Sequence, residues 1–182
     1  ILLLDEPLTN LDAKLRHDMR AELKRLHRQF GMTIVYATPD ELEALSMGEE
    51  IAVMRDGGVV QRGTPDELYD TPANTYVAGK IGSPHMNMIK ATVSKDTKSF
   101  DTPLGRIVPM NPRKSASPGE AALIGIRPSD IRLAAKGEKA ISSKIHLLEP
   151  LGDITIVSVE AGSEMLRMVL PEAKAASIKL GD

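Results

Sequence analysis

The chain has 182 residues, which is enough for one medium domain or two small ones. Hydrophobic residues make up 42% of it and aromatic residues only 3%, so we expect an aliphatic core. The formal net charge of -2 offers no electrostatic case for binding nucleic acid or an anionic membrane. The absence of cysteine excludes disulfides and thiolate metal sites. No apolar run approaches the roughly 20 residues of a membrane-spanning helix.

The chain opens with four apolar residues followed by the adjacent carboxylates of Asp5 and Glu6. This pattern predicts a buried strand that ends in an acidic pair. A carboxylate at a strand end can hold Mg²⁺ directly or through water, and its neighbour can orient and polarise an attacking water. The competing interpretation is a strand that simply runs into an acidic turn before a helix.

A helix is predicted next, over residues 12–30, with Asp12 as its N-cap and Gly31 as its stop. Apolar residues recur along it at spacings of three and four, which predicts one apolar face. These residues are Leu15, Met19, Leu23, Leu26 and Phe30. Residues 33–37 then read as a buried strand.

The pentapeptide Thr-Pro-Asp-Glu-Leu occurs twice, at residues 38–42 and 64–68. At both places we expect a helix start in which Thr is the N-cap, Pro takes the first helical position and Glu completes a capping box. The predicted helices cover residues 39–47 and 64–69.

Between these two helices, runs at 51–54 and 59–61 flank Asp56-Gly57, a strong hairpin signal. A further helix is predicted over residues 74–81. The alternation of strand and helix in this region is typical of an α/β domain with a parallel sheet.

The pattern changes at Gly82-Ser83-Pro84. Beyond this point, short β-type runs are separated by turn residues, and no long helix is predicted. This is typical of a small antiparallel barrel or sandwich of about a hundred residues. The predicted strands are 89–93, 106–109, 122–126, 144–148, 154–159 and 165–170.

Residues 1–12 resemble the Walker B strand and D-loop of an ATP-binding-cassette (ABC) ATPase. Residues 63–87 are similar to the sugar-importer branch of that family, the maltose- and glycerol-phosphate-type subunits. Gly125-Ile126-Arg127-Pro128 resembles the marker of their OB-like regulatory (TOBE) domain. The resemblance implies two domains. Residues 1–82 would be an α/β P-loop NTPase fragment, the C-terminal half of an ABC ATPase domain. Residues 83–182 would be an all-β OB-like barrel, truncated at its C-terminus.

The resemblance also implies roles for individual residues. Glu6 would be the catalytic base and Asp5 would lie on the Mg²⁺ side. Asn10 and Asp12 would lie near the nucleotide at the interface between two ATPase subunits. Pro39 stands where the family has a switch His that contacts the γ-phosphate of ATP.

Proline offers neither a side-chain donor nor a backbone N–H, so Pro39 cannot replace a phosphate-binding His. The sequence also lacks a phosphate-binding loop of the form G-x-x-x-x-G-K-[ST] and a Leu-Ser-Gly-Gly-Gln signature. We therefore expect the chain alone to be inactive and to bind ATP weakly. Since it starts at Ile and its first strand has nothing before it, we expect it to be a fragment.

The implied activity is ATP hydrolysis, with Mg²⁺, that drives uptake of a sugar or related solute. The implied partners are a second ATPase subunit, forming a homodimer, transmembrane permease subunits and a solute-binding protein; no nucleic acid is implied. The expected location is cytoplasmic, on the inner face of the cell membrane, held there by the permease subunits.

Two alternatives remain open. The chain could be a non-catalytic regulatory or dimerisation module, which Pro39 and the missing phosphate loop favour and the acidic pair opposes. A nucleic-acid-binding barrel is the weaker alternative, because Phe100 is the only aromatic residue of the second region and no strong basic cluster is present.

Overall fold

The computed structural model describes residues 1–109, 116–135 and 137–182. The chain divides into two compact units, Ile1–Ser83 and Pro84–Asp182. Among the described residues, none of the helices has the length and apolar composition of a membrane-spanning segment.

The first unit begins with a parallel strand pair. Strand β1 (Leu2–Asp5) pairs with β2 (Ile34–Ala37), and helix α1 (Ala13–Phe30) connects them. The predicted helix ends are confirmed: the Asp12 carboxylate accepts the backbone N–H of Leu15 at 2.9 Å, and Gly31 ends the helix at φ 58°. No residue of α1 is fully buried; on its predicted apolar face Met19, Leu23 and Leu26 are half-buried, whereas Leu15 and Phe30 are exposed.

The remainder of this unit contains helix α2 (Glu41–Met47), strands β3 (Ile51–Arg55) and β4 (Gly58–Gly63), and helices α3 (Pro65–Asp70) and α4 (Thr75–Lys80). The predicted hairpin is confirmed, and its turn residues Asp56 and Gly57 both have positive φ, at 51° and 79°. A small core lies under the hairpin and is formed by Ile51, Val53, Leu68, Val77 and Ile81.

The two Thr-Pro-Asp-Glu-Leu segments start their helices differently. At the second, Thr64 is the N-cap, Pro65 takes the first helical position and Glu67 completes the capping box, as predicted. At the first, the prediction is wrong: Asp40 is the N-cap and Pro39 lies outside the helix. The Thr38 hydroxyl instead bonds the buried Glu43 carboxylate, which removes it from helix capping.

The described residues of the second unit form seven strands in two antiparallel sheets. In chain order the strands are β5 (Asn87–Val93), β6 (Phe100–Thr102), β7 (Gly105–Ile107), β8 (Ala121–Ile126), β9 (Lys144–Pro150), β10 (Ile154–Ala161) and β11 (Glu164–Pro171). One sheet has the order β7-β6-β5-β8 and the other β11-β10-β9. All six predicted strands are confirmed, with shifted ends, whereas β6 was not predicted.

Both sheets of the second unit contribute to one aliphatic core, with Ile89 and Val157 fully buried and Phe100 as its buried aromatic residue. The only helices among its described residues are short: a 3₁₀ turn at Pro128–Asp130 and α5 (Glu172–Ala175). Strand β9 lies at the edge of its sheet. Gly181 and Asp182 bond the backbone of Ile145 at 3.0 and 2.9 Å, so these two residues cover part of that edge.

Candidate functional site

The parallel pairing of β1 and β2 brings the acidic pair next to the turn that carries Pro39. Asp5 is the register partner of Ala37, and the backbone N–H of Glu6 donates to the Ala37 carbonyl at 2.9 Å. Carboxyl ends of adjacent parallel strands meet at the same edge of a sheet. Residues separated by more than thirty positions in sequence therefore share one site.

Glu6 has a backbone conformation that its sequence did not predict. Its φ is 44°, in the left-handed region that a residue with a Cβ seldom occupies and that costs on the order of 1 kcal/mol. Its side chain is exposed and accepts a hydrogen bond from the Thr9 hydroxyl at 3.2 Å. Strain of this kind concentrates at functional sites, where it aims a side chain.

The loop between β1 and α1 holds the other two predicted site residues. Leu8 is buried and anchors the loop, and the backbone N–H of Leu11 donates back to the Leu8 carbonyl at 3.2 Å. Asn10 is exposed at the surface of the loop. Asp12 caps α1, so its carboxylate already has a structural role at the start of that helix.

No group of three or more His, Cys, Asp or Glu residues lies close enough to hold a metal ion by itself in the described part of the chain. Mg²⁺ bound with a nucleotide needs only one or two protein carboxylates, because phosphates and waters complete its coordination. The exposed carboxylate of Asp5 fits that requirement.

Pro39 is exposed between Thr38 and Asp40. The backbone N–H of Asp40 donates to the Thr38 hydroxyl at 3.1 Å, which closes the turn around the proline. A pyrrolidine ring has no hydrogen-bond donor to offer at this position.

Sequence reasoning missed Glu43, a buried carboxylate close to the turn that carries Pro39. It is only 4% exposed, and its Oε2 accepts hydrogen bonds from the Tyr36 and Thr38 hydroxyls, both at 2.9 Å. Burial, and then the bond to Glu43, raises the pKa of the Tyr36 phenol well above its usual range. Glu43 follows Asp40 at the spacing of a capping box, so the sequence carries no signal that its carboxylate turns inward.

Arg16 connects Glu43 to the loop after β1. Its Nε lies 3.7 Å from Glu43 Oε1, and its Nη2 donates to the Leu11 carbonyl at 3.0 Å. On the next turns of the same helix, the Lys24 ammonium donates to the Ser46 carbonyl of α2 at 2.7 Å. Two basic residues of α1 therefore hold α2 against it.

An open groove of about 310 Å³ lies in the second unit, with Met86, Asn87, Ser158 and Arg167 among its lining residues. Asn87 is buried; its amide donates to the carbonyls of Ile126 and Arg167 at 3.2 and 2.8 Å and accepts the Arg167 N–H at 2.8 Å. These bonds tie β5 to β8 and β11. Asn87 therefore stabilises the fold, and its amide is occupied by the backbone.

Comparison with known proteins places the second unit in two described families. Residues 82–131 match the MalK OB fold domain, and residues 124–182 match the TOBE domain. Together these matches extend across the second unit.

The chain is also similar to whole proteins, and this similarity extends over both units. The sulfoquinovosyl glycerol transport ATP-binding protein SmoE of Agrobacterium fabrum is 38% identical over 175 residues, covering 94% of this chain and 48% of the relative. The trehalose/maltose import ATP-binding protein MalK of Thermococcus litoralis is 43% identical over 172 residues, covering 89% and 46%. The chain thus spans just under half the length of these relatives. Residues 82–182 carry the MalK-type OB fold and TOBE domains, and the chain is homologous to the C-terminal part of sugar-importer ABC ATP-binding proteins.

Proposed function

We propose that this chain is the C-terminal part of the ATP-hydrolysing subunit of an ABC importer that energises uptake of a sugar or related solute. The observation that carries the proposal is the meeting of Asp5 and Glu6 with the turn at Pro39, at the ends of two paired parallel strands. Phosphoryl transfer depends on positioning and charge, and two neighbouring carboxylates support the proposal because one could hold Mg²⁺ while the other orients the attacking water.

Glu6 is proposed as the residue that orients and polarises the attacking water. Its exposed carboxylate and its left-handed backbone suit a group aimed outward from a strand end. Asp5 is proposed to hold Mg²⁺, whose chemistry when bound is to neutralise charge on the phosphates of ATP. Asn10 and Asp12, on the loop that follows, are proposed to lie near the nucleotide where two ATPase subunits meet.

Exposed apolar side chains support a larger parent domain. Leu3 and Val35 are register partners on β1 and β2, and they are 72% and 55% exposed. Parallel sheets are normally covered on both faces. In a protein of the relatives' length, an upstream half carrying the phosphate-binding loop would cover the face on which Leu3 and Val35 lie.

The proposed partners follow from the same homology. They are a second copy of the ATPase subunit, transmembrane permease subunits and a solute-binding protein. The permease subunits would hold the protein at the cytoplasmic face of the membrane. The names of the two relatives, which specify a sulfoquinovosyl glycerol and trehalose or maltose, favour a carbohydrate-type solute.

Pro39 is proposed to weaken hydrolysis, and this provides the test. The upstream half of the Thermococcus litoralis MalK relative is fused before Ile1, and ATP hydrolysis is measured as phosphate release. We expect slow turnover in the chimera and an increase of about a hundredfold on Pro39→His, since that is the usual effect of one donor to a transferring group. Glu6→Gln is the matched loss-of-function control and should abolish the gain.

The alternative is a non-catalytic regulatory or dimerisation module, which the proline itself favours. A chimera that binds ATP but stays inactive after Pro39→His, beside an active intact relative, would support that alternative and overturn the catalytic proposal.

A further inference from the structure

The strongest unassigned feature is the buried carboxylate of Glu43. A carboxylate that is 4% exposed must be paired or hydrogen-bonded to stay folded, because desolvating it alone is costly. It lies in none of the positions that the candidate site uses directly. Its contacts reach both loops that border that site.

The first contact set leads to the Pro39 turn. Glu43 Oε2 accepts the Thr38 hydroxyl, and the Thr38 hydroxyl oxygen accepts the Asp40 N–H. The donor and acceptor capacities of one hydroxyl are therefore both used across the turn. Moving the carboxylate would release the turn.

The second contact set leads to the loop after β1. The Arg16 guanidinium faces Glu43 Oε1 with one edge and holds the Leu11 carbonyl with another. Its Nε is buried and has no hydrogen-bond partner among the described residues, so charge attraction to Glu43 is what compensates it. Removing the negative charge would free Arg16 to leave the loop.

We propose that Glu43 is a positioning residue that couples the loop at Leu8–Asp12 to the turn at Thr38–Asp40, so that the two loops order or loosen together. Its meaning for catalysis rests on the proposed function, since both loops would border the nucleotide. The coupling itself is a property of this chain and can be measured without ATP.

The experiment measures solvent exchange of the Leu11 and Asp40 amides by NMR in the whole 182-residue chain. Glu43→Gln keeps a hydrogen-bond acceptor for Tyr36 and Thr38 but removes the charge that faces Arg16. We expect exchange at both amides to accelerate about tenfold or more. Glu41→Gln removes a charge from the same first helical turn and is the matched control; it should change neither amide.

Non-additivity separates coupling from a simple loss of stability. Thr38→Val should accelerate exchange at Leu11 in the wild-type background and have little further effect in the Glu43→Gln background. Should Glu43→Gln unfold the first unit, Arg16→Gln provides the second route. It is then expected to accelerate exchange at Asp40, on the far side of the network.

A Leu11 amide that is unaffected by Glu43→Gln, or an Asp40 amide that is unaffected by Arg16→Gln, would overturn the inference. The chimera separates this outcome from failure of the proposed function. Coupled exchange without any hydrolysis would overturn only the proposed function, whereas hydrolysis without coupled exchange would overturn only the role of Glu43.

Discussion

The two Thr-Pro-Asp-Glu-Leu segments share five residues and start two helices, yet the helices begin at different places. At Thr64 the hydroxyl accepts the Glu67 N–H at 3.3 Å, and the Glu67 carboxylate accepts the Thr64 N–H at 2.8 Å. At Thr38 the hydroxyl bonds Glu43, and the cap moves two residues on to Asp40. The same five residues thus permit more than one N-cap, and contacts with the rest of the fold determine which N-cap forms.

The glutamates at the third helical position make the contrast sharpest. Glu67 and Glu43 both lie three residues after their N-caps. Glu67 is exposed and bonds its own helix start, whereas Glu43 is buried and bonds Tyr36 and Thr38 instead. One completes a local motif, and the other connects elements distant in sequence.

The largest expected effect is therefore a difference between these two glutamates. Glu43→Ala should destabilise the first unit by about 3 kcal/mol, since it leaves Arg16 without its buried counter-charge. Glu67→Ala should cost about 1 kcal/mol or less, since it removes half of a surface capping box. Urea unfolding followed by tyrosine fluorescence measures this unit alone, because all three tyrosines lie in it. Equal losses of unfolding free energy in the two variants would contradict the distinction between the two glutamates.

A smaller effect tests the displaced cap. Asp40 accepts the N–H groups of Leu42 and Glu43 at 2.8 and 3.3 Å, while Asp66 occupies the same place in the pentapeptide without capping α3. We expect Asp40→Ala to cost about 1 kcal/mol and Asp66→Ala only a few tenths. The same unfolding assay measures both variants. A larger loss of unfolding free energy for Asp66→Ala than for Asp40→Ala would contradict the assignment of the caps.

The smallest expected effect is a dependence of stability on alkaline pH that arises from Tyr36, which bonds Glu43 beside the first segment. Burial, followed by the bond to Glu43, raises the pKa of Tyr36 above that of an unfolded tyrosine, which is about 10. The unfolded state therefore loses this proton first, and the stability that depends on it declines as pH rises beyond about 10. Tyr36→Phe should flatten that decline, measured by unfolding at successive pH values. Tyr69→Phe, outside the Glu43 network, is the control. If the fall of unfolding free energy with pH is unchanged in Tyr36→Phe, the Tyr36 phenol does not cause it.

Much of the fold followed from local pattern. The caps of α1, the hairpin at Asp56-Gly57 and the capping box at Thr64 depend on contacts within a few residues, and each was predicted where it occurs. Strand β6 was missed because three residues with one buried aromatic, Phe100, give too little alternation to recognise.

The candidate site divides in the same way. The acidic pair and the proline at the switch position can be recognised in the sequence, and their chemical roles are proposals. The strain at Glu6 and the inward turn of Glu43 are not visible, because both depend on strands that pair across more than thirty intervening residues.

Local sequence specifies where helices and turns can start, since capping and glycine geometry operate over three or four residues. Contacts between elements distant in the chain select which of two equivalent caps is used and which carboxylate is buried. A buried carboxylate is stable only with hydrogen-bond donors or a counter-charge beside it, and packing supplies these partners. In this chain the pairing of β1 with β2 and the packing of α1 against α2 place Tyr36, Thr38 and Arg16 next to Glu43.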